Sequence, residues 1–333
     1  MSPGIRPFGT TQDGRAVQAV QLHHGQLSVS VLTLGAILQD VRLAGAPWPL
    51  TLGSDQLAAY EGPMQYNGAI VGPVANRVAG AKAPCNGASL QLEANENGRT
   101  SLHGGFSGTH GQIWQIAAAS ADSLTLRLML PDGLGGYPGN REINAEFVLS
   151  SDATLTLTLT ATTDAPSLMN LANHSYWALD GRATVAGQTL QVAAPSYLPV
   201  DDDRIPTGVA TPVSGTKFDL NSPRLLQQTE DYDHNWCLAS APREMSFACR
   251  LTGQSGVRLT MKTTEPGLQI YDAGRMDTAP HLGLAGQPYG RHAGLALEAQ
   301  RWPNAPHQPD FPSVALVPGQ DFRQVTSWTF DRV

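Results

Sequence analysis

Leu124-Thr125-Leu126-Arg127-Leu128-Met129-Leu130 places a leucine at every second position, and side chains two apart share a face only in an extended chain. The turn Asp132-Gly133-Leu134-Gly135-Gly136-Tyr137-Pro138-Gly139-Asn140 leads on into Ile143 to Leu149. Leu155-Thr156-Leu157-Thr158-Leu159-Thr160 then alternates again. Three neighbouring extended segments joined by turns predict an antiparallel meander, not the strand–helix alternation of a dinucleotide-binding sheet. Neither GxGxxG nor a P-loop pattern occurs, so no nucleotide cofactor is expected.

The same reading extends in both directions. Leu27-Ser28-Val29-Ser30-Val31 alternates and predicts a strand with one buried face. Leu34-Gly35-Ala36-Ile37-Leu38 reads as a second, more apolar strand. Leu259 to Thr263, Leu268 to Tyr271 and Val325 to Phe330 are further strand candidates. Helix candidates are few. Ser54 to Tyr60 starts on an N-cap serine, and Ser222-Pro223-Arg224-Leu225-Leu226-Gln227-Gln228 has an N-cap followed by proline at the first helical position. Leu92 to Arg99 is polar and loop-like. Asp201-Asp202-Asp203 lacks the spacing and glycine of a calcium loop and reads as a turn.

With 333 residues, 41% hydrophobic content, 34 Gly and 24 Pro, the chain can build a large core from short elements separated by many turns. No linker, charge run or low-complexity segment marks a boundary, so 1–333 is expected to be one domain. The expected class is all-β: a large, mostly antiparallel β-sandwich with few short helices.

Charge narrows the partners. Twenty-one basic against 28 acidic residues give a net charge of -7, and Lys82, Lys217 and Lys262 are the only lysines. Without clustered positive charge a nucleic-acid surface is not expected. No apolar run is long enough for a membrane span, and the start lacks the apolar stretch of a signal peptide. A cytoplasmic location is therefore expected, and Asn173-His174-Ser175 is discounted as a glycosylation sequon. Cys85, Cys237 and Cys249 show no metal or disulfide spacing and are expected to be free thiols.

Two stretches carry the chemistry. Asn170-Leu171-Ala172-Asn173-His174-Ser175-Tyr176-Trp177-Ala178-Leu179-Asp180-Gly181 sets one histidine among amides, a hydroxyl and two aromatic rings. Imidazole changes charge near neutrality, amides and hydroxyls both give and accept hydrogen bonds, and flat rings suit the CH-rich side of a pyranose. Downstream, Gly294-Leu295-Ala296-Leu297-Glu298-Ala299-Gln300-Arg301-Trp302-Pro303-Asn304-Ala305 places one carboxylate in an apolar run. There it costs free energy unless something uses it.

Together with Phe8-Gly9, Leu34-Gly35-Ala36, Asn76-Arg77, Leu102-His103-Gly104-Gly105, Pro199-Val200-Asp201, Tyr232-Asp233-His234-Asn235, Pro266-Gly267-Leu268-Gln269 and Pro318-Gly319, these stretches, in this order, resemble the aldose 1-epimerase family, the galactose mutarotases. The likeness runs nearly end to end. It implies a β-supersandwich with an open cleft across one sheet. The implied reaction interconverts the α and β anomers of a free aldose, with no cofactor or metal, on a monosaccharide held by a monomer or homodimer. By position, His174 matches the family's acid and Glu298 its base. Asn76, Arg77, His103, Tyr176, Asp233 and Gln269 match its sugar-holding positions. The chain departs from the family pattern at Asp272-Ala273-Gly274-Arg275 and at Tyr289-Gly290-Arg291-His292, which bears on the sugar accepted.

Three alternatives compete with this reading. His103, His174, His234 and Glu298 are metal-ligand types, but their scattered order lacks pairings such as HxxxH. A non-catalytic sugar-binding module of the same fold needs no titrating pair. A hexose-6-phosphate 1-epimerase would need grouped cations, and among the matched site positions Arg77 is the single one, with Arg275, Arg291 and Arg301 close in sequence to the motifs.

Overall fold

The computed structural model describes residues 4–227 and 230–333. The meander forms the middle of a nine-stranded antiparallel sheet. Its strands run in the order Gln115–Ala119, Ser123–Leu130, Arg141–Ser150, Thr154–Thr163, Phe322–Arg332, Val257–Thr263, Ser246–Thr252, Thr189–Val192 and Arg224–Leu225. A six-stranded sheet faces it, in the order Tyr176–Trp177, Leu295–Gln300, Gly267–Tyr271, Asp233–Cys237, Ser196–Leu198 and Thr211–Pro212. Gly4–Thr10, Ala16–His24, Leu27–Leu32 and Leu38–Leu43 make a separate four-stranded sheet.

The leucine alternation acts as its period requires. Leu124, Leu126, Leu155, Leu157 and Leu159 share one core with Trp177, Leu268, Ile270, Leu295 and Leu297 of the opposing sheet. Trp177 closes the gap between the sheets, its ring 5.7 Å from Trp328 and 5.6 Å from Phe330. This is a face-to-face sandwich, in which each strand sends alternate side chains inward.

Helix is scarce, as expected, and the details differ from the sequence reading in three places. The helix near Ser54 is one turn, Leu57–Tyr60, with Gln56 at its N-cap. Ser54 Oγ instead accepts the Gln56 N–H at 3.1 Å and donates to the Leu282 carbonyl at 2.6 Å. Leu34 to Ile37 is a reversal between two paired strands, not a strand of its own, and Leu38 already begins the second of them. Gly35 and Ala36 have φ of 61° and 47°, and a Cβ on Gly35 would meet the His110 carbonyl at 2.5 Å. The run is apolar because it is buried under neighbouring segments, a signal that burial gives to turns as readily as to strands.

The third difference concerns Ser222 to Gln228, expected to be helical. Arg224–Leu225 pairs with Thr189 and Leu190 at the sheet edge, while Gln228 lies outside the described residues. Proline suits an edge strand as well as a first helical turn, and here edge pairing outweighed the local signal. Asp201 to Asp203 form the expected turn, with Asp201 Oδ1 accepting the Asp203 and Ile205 N–H groups at 3.0 and 2.9 Å. Cys85, Cys237 and Cys249 are free and buried. No helix among the described residues is long and apolar enough to cross a membrane.

Candidate active site

Register in the six-stranded sheet decides which residues reach the cleft. Gln269 lies opposite Glu298 and Asn235, Tyr271 opposite Ala296 and Asp233, and Tyr176 opposite Ala296. Directly paired residues share a face, so Glu298, Gln269, Asp233, Tyr271 and Tyr176 all lie on the side away from the leucine core. Leu295, Leu297 and Trp236 occupy the core side. His234 falls there too, its ring 4.7 Å from Phe218, which removes it from the metal-ligand alternative. A slip of one residue would bury Leu297 in the cleft and Glu298 in the core.

Above this face lies a cleft of about 390 Å³, within the range of small-molecule sites. His174 enters it from the break between two short strands, Ala172–Asn173 and Tyr176–Trp177. Its backbone is pinned on both sides, its N–H donating to the Ala69 carbonyl and its carbonyl accepting the Gly68 N–H, each at 2.9 Å. His174 Nε2 stands 3.6 Å from Glu298 Oε1, and the two residues are 5% and 2% exposed. That is a close approach, slightly longer than a hydrogen bond.

Asn76, Arg77 and His103 form the facing wall. Asn76 and His103 both have φ above zero, 63° and 54°. The strain is met by mutual bonds: the His103 N–H donates to the Asn76 carbonyl at 3.0 Å, and the Asn76 N–H donates to His103 Nδ1 at 3.1 Å. Accepting at Nδ1 leaves the proton of neutral His103 on Nε2. Arg77 is held by a two-pronged contact with Glu96, Nε to Oε2 at 2.8 Å and Nη2 to Oε1 at 2.9 Å, and lies 3.5 Å from Asp233. Its carbonyl accepts the Asn304 N–H at 3.1 Å, so the turn after the Glu298 strand braces the arginine segment.

Burial dominates the electrostatics. It pushes the Glu298 carboxyl well above the usual range, Asp233 adds to the rise, and the Arg77 guanidinium opposes it. It also pushes His174 and His110 each down to about 4, and His103 well below its ordinary value. Among the described residues, Glu298 Oε2 and His174 Nδ1 have no hydrogen-bond partner. A buried carboxyl oxygen without a donor is far less costly when the group carries its proton. Burial thus works against the charge on both groups, toward the carboxylic acid of Glu298 and the neutral ring of His174.

Seven of the eight residues singled out from the sequence line this cleft: Asn76, Arg77, His103, His174, Tyr176, Asp233 and Glu298. Gln269 stands behind them, donating to Asp233 Oδ1 at 2.8 Å. Residues that sequence reasoning missed include Glu96, which orients Arg77, and Tyr66, Arg204 and Asp231. Glu96 and Tyr66 sit in irregular stretches with no periodic signal, and only the folded chain brings them to the site. The two departures from the family pattern meet on one wall, where Asp272, Gly274, Arg275 and His292 line the cleft and the His292 N–H donates to the Ala273 carbonyl at 3.1 Å. Of the metal-ligand types, His103, His174 and Glu298 each offer a ligand atom within 4.8 Å of the others.

An antiparallel β-sandwich with a sugar-sized polar cleft and a buried imidazole–carboxyl pair defines a class, the carbohydrate-handling acid–base enzymes. Comparison with known proteins narrows it. The sequence model of the family described as Aldose 1-epimerase matches residues 18–329. The chain is 35% identical to galactose mutarotase of Rattus norvegicus over 329 residues, covering 95% of each. It is 29% identical to aldose 1-epimerase of Escherichia coli strain K12, with 99% and 98% covered. Among solved structures, an aldose epimerase homologue from C. elegans superposes with a TM-score of 0.89 at 28% identity, covering 96% of this chain and all of that one. Galactose 1-epimerase from Lactobacillus acidophilus gives 0.85 at 25%, with 100% and 99% covered. The chain belongs to the aldose 1-epimerase family.

Proposed function

We propose that this isomerase interconverts the anomers of a neutral free aldose through its open-chain form, with His174 as acid and Glu298 as base. Glu298 takes the proton from the anomeric hydroxyl while His174 gives one to the ring oxygen. The bond between C1 and the ring oxygen breaks and the C1 carbonyl forms. Rotation about the C1–C2 bond presents the other face of the aldehyde, and the same two groups reverse their roles to close the ring. We take residues 1–333 as one domain serving this chemistry, working as a monomer or homodimer in the cytoplasm.

Proton counting ties the mechanism to the electrostatics. The pair carries one proton at every stage: on His174 before ring opening, on Glu298 while the sugar is open. The direction in which burial pushes, neutral imidazole beside carboxylic acid, is that of the open-chain state. Entering the cycle requires a shift to imidazolium and carboxylate across 3.6 Å. Their mutual attraction at that distance is about 4–5 kcal/mol at an effective dielectric near 20, worth roughly three powers of ten in where the proton resides. Arg77 acts in the same direction on Glu298.

The observation that supports this reading most is the buried pairing of His174 with Glu298 inside a cleft of polar residues. Sugar hydroxyls alone would be bound as well by groups that do not titrate. Asn76, Arg77, His103, Tyr176 and Asp233 are proposed to hold the hydroxyls, and Gln269 to hold Asp233. Polarimetry on freshly dissolved aldoses is the test. Acceleration of mutarotation by catalytic amounts of protein is expected, and its absence across glucose, galactose and pentoses would remove the reading.

A neutral substrate is favoured over a sugar phosphate. The cleft lining carries Arg77, Arg204 and Arg275 against Asp231, Asp233, Asp272 and Glu298. Arg77 is engaged by Glu96 and Asp233, and Arg204 lies 3.4 Å from Asp231. Arg301 points elsewhere, to the buried Glu265 at 2.9 Å, and Arg291 is not among the lining residues. A phosphate would thus meet four carboxyl groups against three arginines, two of them already paired.

A further inference from the structure

Tyr66 lies in no strand or helix, yet it touches three buried histidines. Its ring centroid is 4.8 Å from that of His103, 4.7 Å from His110 and 6.1 Å from His174. The contacts differ in kind. His110 meets the ring at 63°, edge to face, while the His174 plane is only 20° from parallel. At its rim the tyrosine hydroxyl accepts from Asn95 Nδ2 at 3.4 Å. Asn95 in turn bonds Leu102, donating to its carbonyl at 3.0 Å and accepting its N–H at 2.7 Å, next to His103. Tyr66 is thereby tied to the loop that carries His103, while its ring runs near-parallel to that of His174 at 6.1 Å.

We propose that Tyr66 is a positioning residue for the acid, holding His103 and His174 at their 5.1 Å edge-on spacing and stabilising His174, through its ring face, while it is an imidazolium. The proposal rests on the reading of His174 as the acid. An aromatic face attracts a cation near its centroid, and the attraction grows where water is excluded. His174 is buried and, among the described residues, its Nδ1 has no hydrogen-bond partner, so few of them can serve the cation. Glu298 faces its Nε2, Tyr176 lies 5.1 Å away at a 37° tilt, and His103 and His110 offer no charge of the opposite sign. The near-parallel ring of Tyr66 has the geometry that helps the charged state and does little for the neutral one. Ring opening starts from the imidazolium, so a contact that favours the charged state raises the working fraction of the sugar-bound enzyme, and with it kcat, and leaves KM nearly unchanged.

The test replaces Tyr66 with phenylalanine carrying zero, one, two or three ring fluorines. Each fluorine removes electron density from the face while the shape, and so the fold, stays nearly constant. Phenylalanine itself is expected to retain kcat within about threefold, because the Asn95 contact is long and one hydrogen bond contributes little. Along the series kcat should fall stepwise, to about a tenth of the phenylalanine value at three fluorines, with KM steady. A flat kcat across the series, or a change confined to KM, would overturn the proposal and leave Tyr66 as cleft lining. His174→Asn separates the two readings. A flat series with an inactive His174→Asn removes the role of Tyr66 alone, whereas an active His174→Asn removes the acid on which it rests.

Discussion

Replacing Glu298 by glutamine tests the base and the electrostatics together. The amide matches the carboxylate in shape, and Asp233 and Arg77, the proposed sugar-holding groups, are unchanged, so KM should change little. Losing a positioned general base should lower kcat by about 10²- to 10⁴-fold, which is about 3–5 kcal/mol of transition-state stabilisation. Stability should move the other way. Burial raises the folded-state pKa of Glu298 above its ordinary 4.5, so between the two values the folded chain holds a proton that the unfolded chain has lost. Wild-type stability then falls as pH rises through that window, by up to about 1.4 kcal/mol per pH unit from this group. Glutamine does not titrate. E298Q should therefore gain on the wild type as pH rises above 4.5 and run parallel to it below. Polarimetric kcat and KM at several sugar concentrations, with urea unfolding from pH 4 to 8, measure both effects. A kcat within tenfold of wild type would remove Glu298 as base, and a stability gap widening toward acid would refute the burial argument.

The pH–rate profile should be a bell, because only the singly protonated pair works: acid adds a second proton and alkali removes the last one. In His174→Asn, whose residual rate depends on ionising Glu298 alone, the alkaline limb should vanish, and its survival would show that another group is the acid. Activity should survive EDTA, since the proton transfers develop no charge that needs a cation. Loss in chelator with recovery on adding a divalent metal would instead make ligands of His103, His174 and Glu298. Glucose 6-phosphate should be epimerised much more slowly than glucose at equal concentration, followed by anomer exchange in NMR. A preference for the phosphate that disappears in Arg275→Ala would favour a sugar-phosphate enzyme.

Much of the fold was legible because its signals are local. The leucine alternation at Leu124–Leu130 and Leu155–Thr160 needs only a period of two and a buried face, and both segments are central strands. Where a signal had two local meanings the tertiary structure chose between them. Leu34 to Ile37 is apolar in either a strand or a buried turn, and the positive φ of Gly35 and Ala36 made it a turn. Ser222-Pro223 opens a helix or an edge strand equally well, and pairing with Thr189–Leu190 selected the strand.

The site divides along the same line. His174 and Glu298 stood out in the sequence because a titrating group in an apolar run is costly, a property read from a few neighbours. Their 124-residue separation says nothing about distance, and no local rule brings Nε2 to within 3.6 Å of Oε1. That follows from sheet register, which also turned His234 into the core and Gln269 behind Asp233. Glu96, Tyr66 and Arg204 carried no such local mark, because an exposed loop residue and a cleft residue have the same sequence neighbours. Composition and periodicity thus determined which faces are buried, since hydrophobic burial depends on each side chain in turn. Only long-range strand pairing decided which polar groups meet, because pairing is a property of the whole sheet and one residue of register reverses every face.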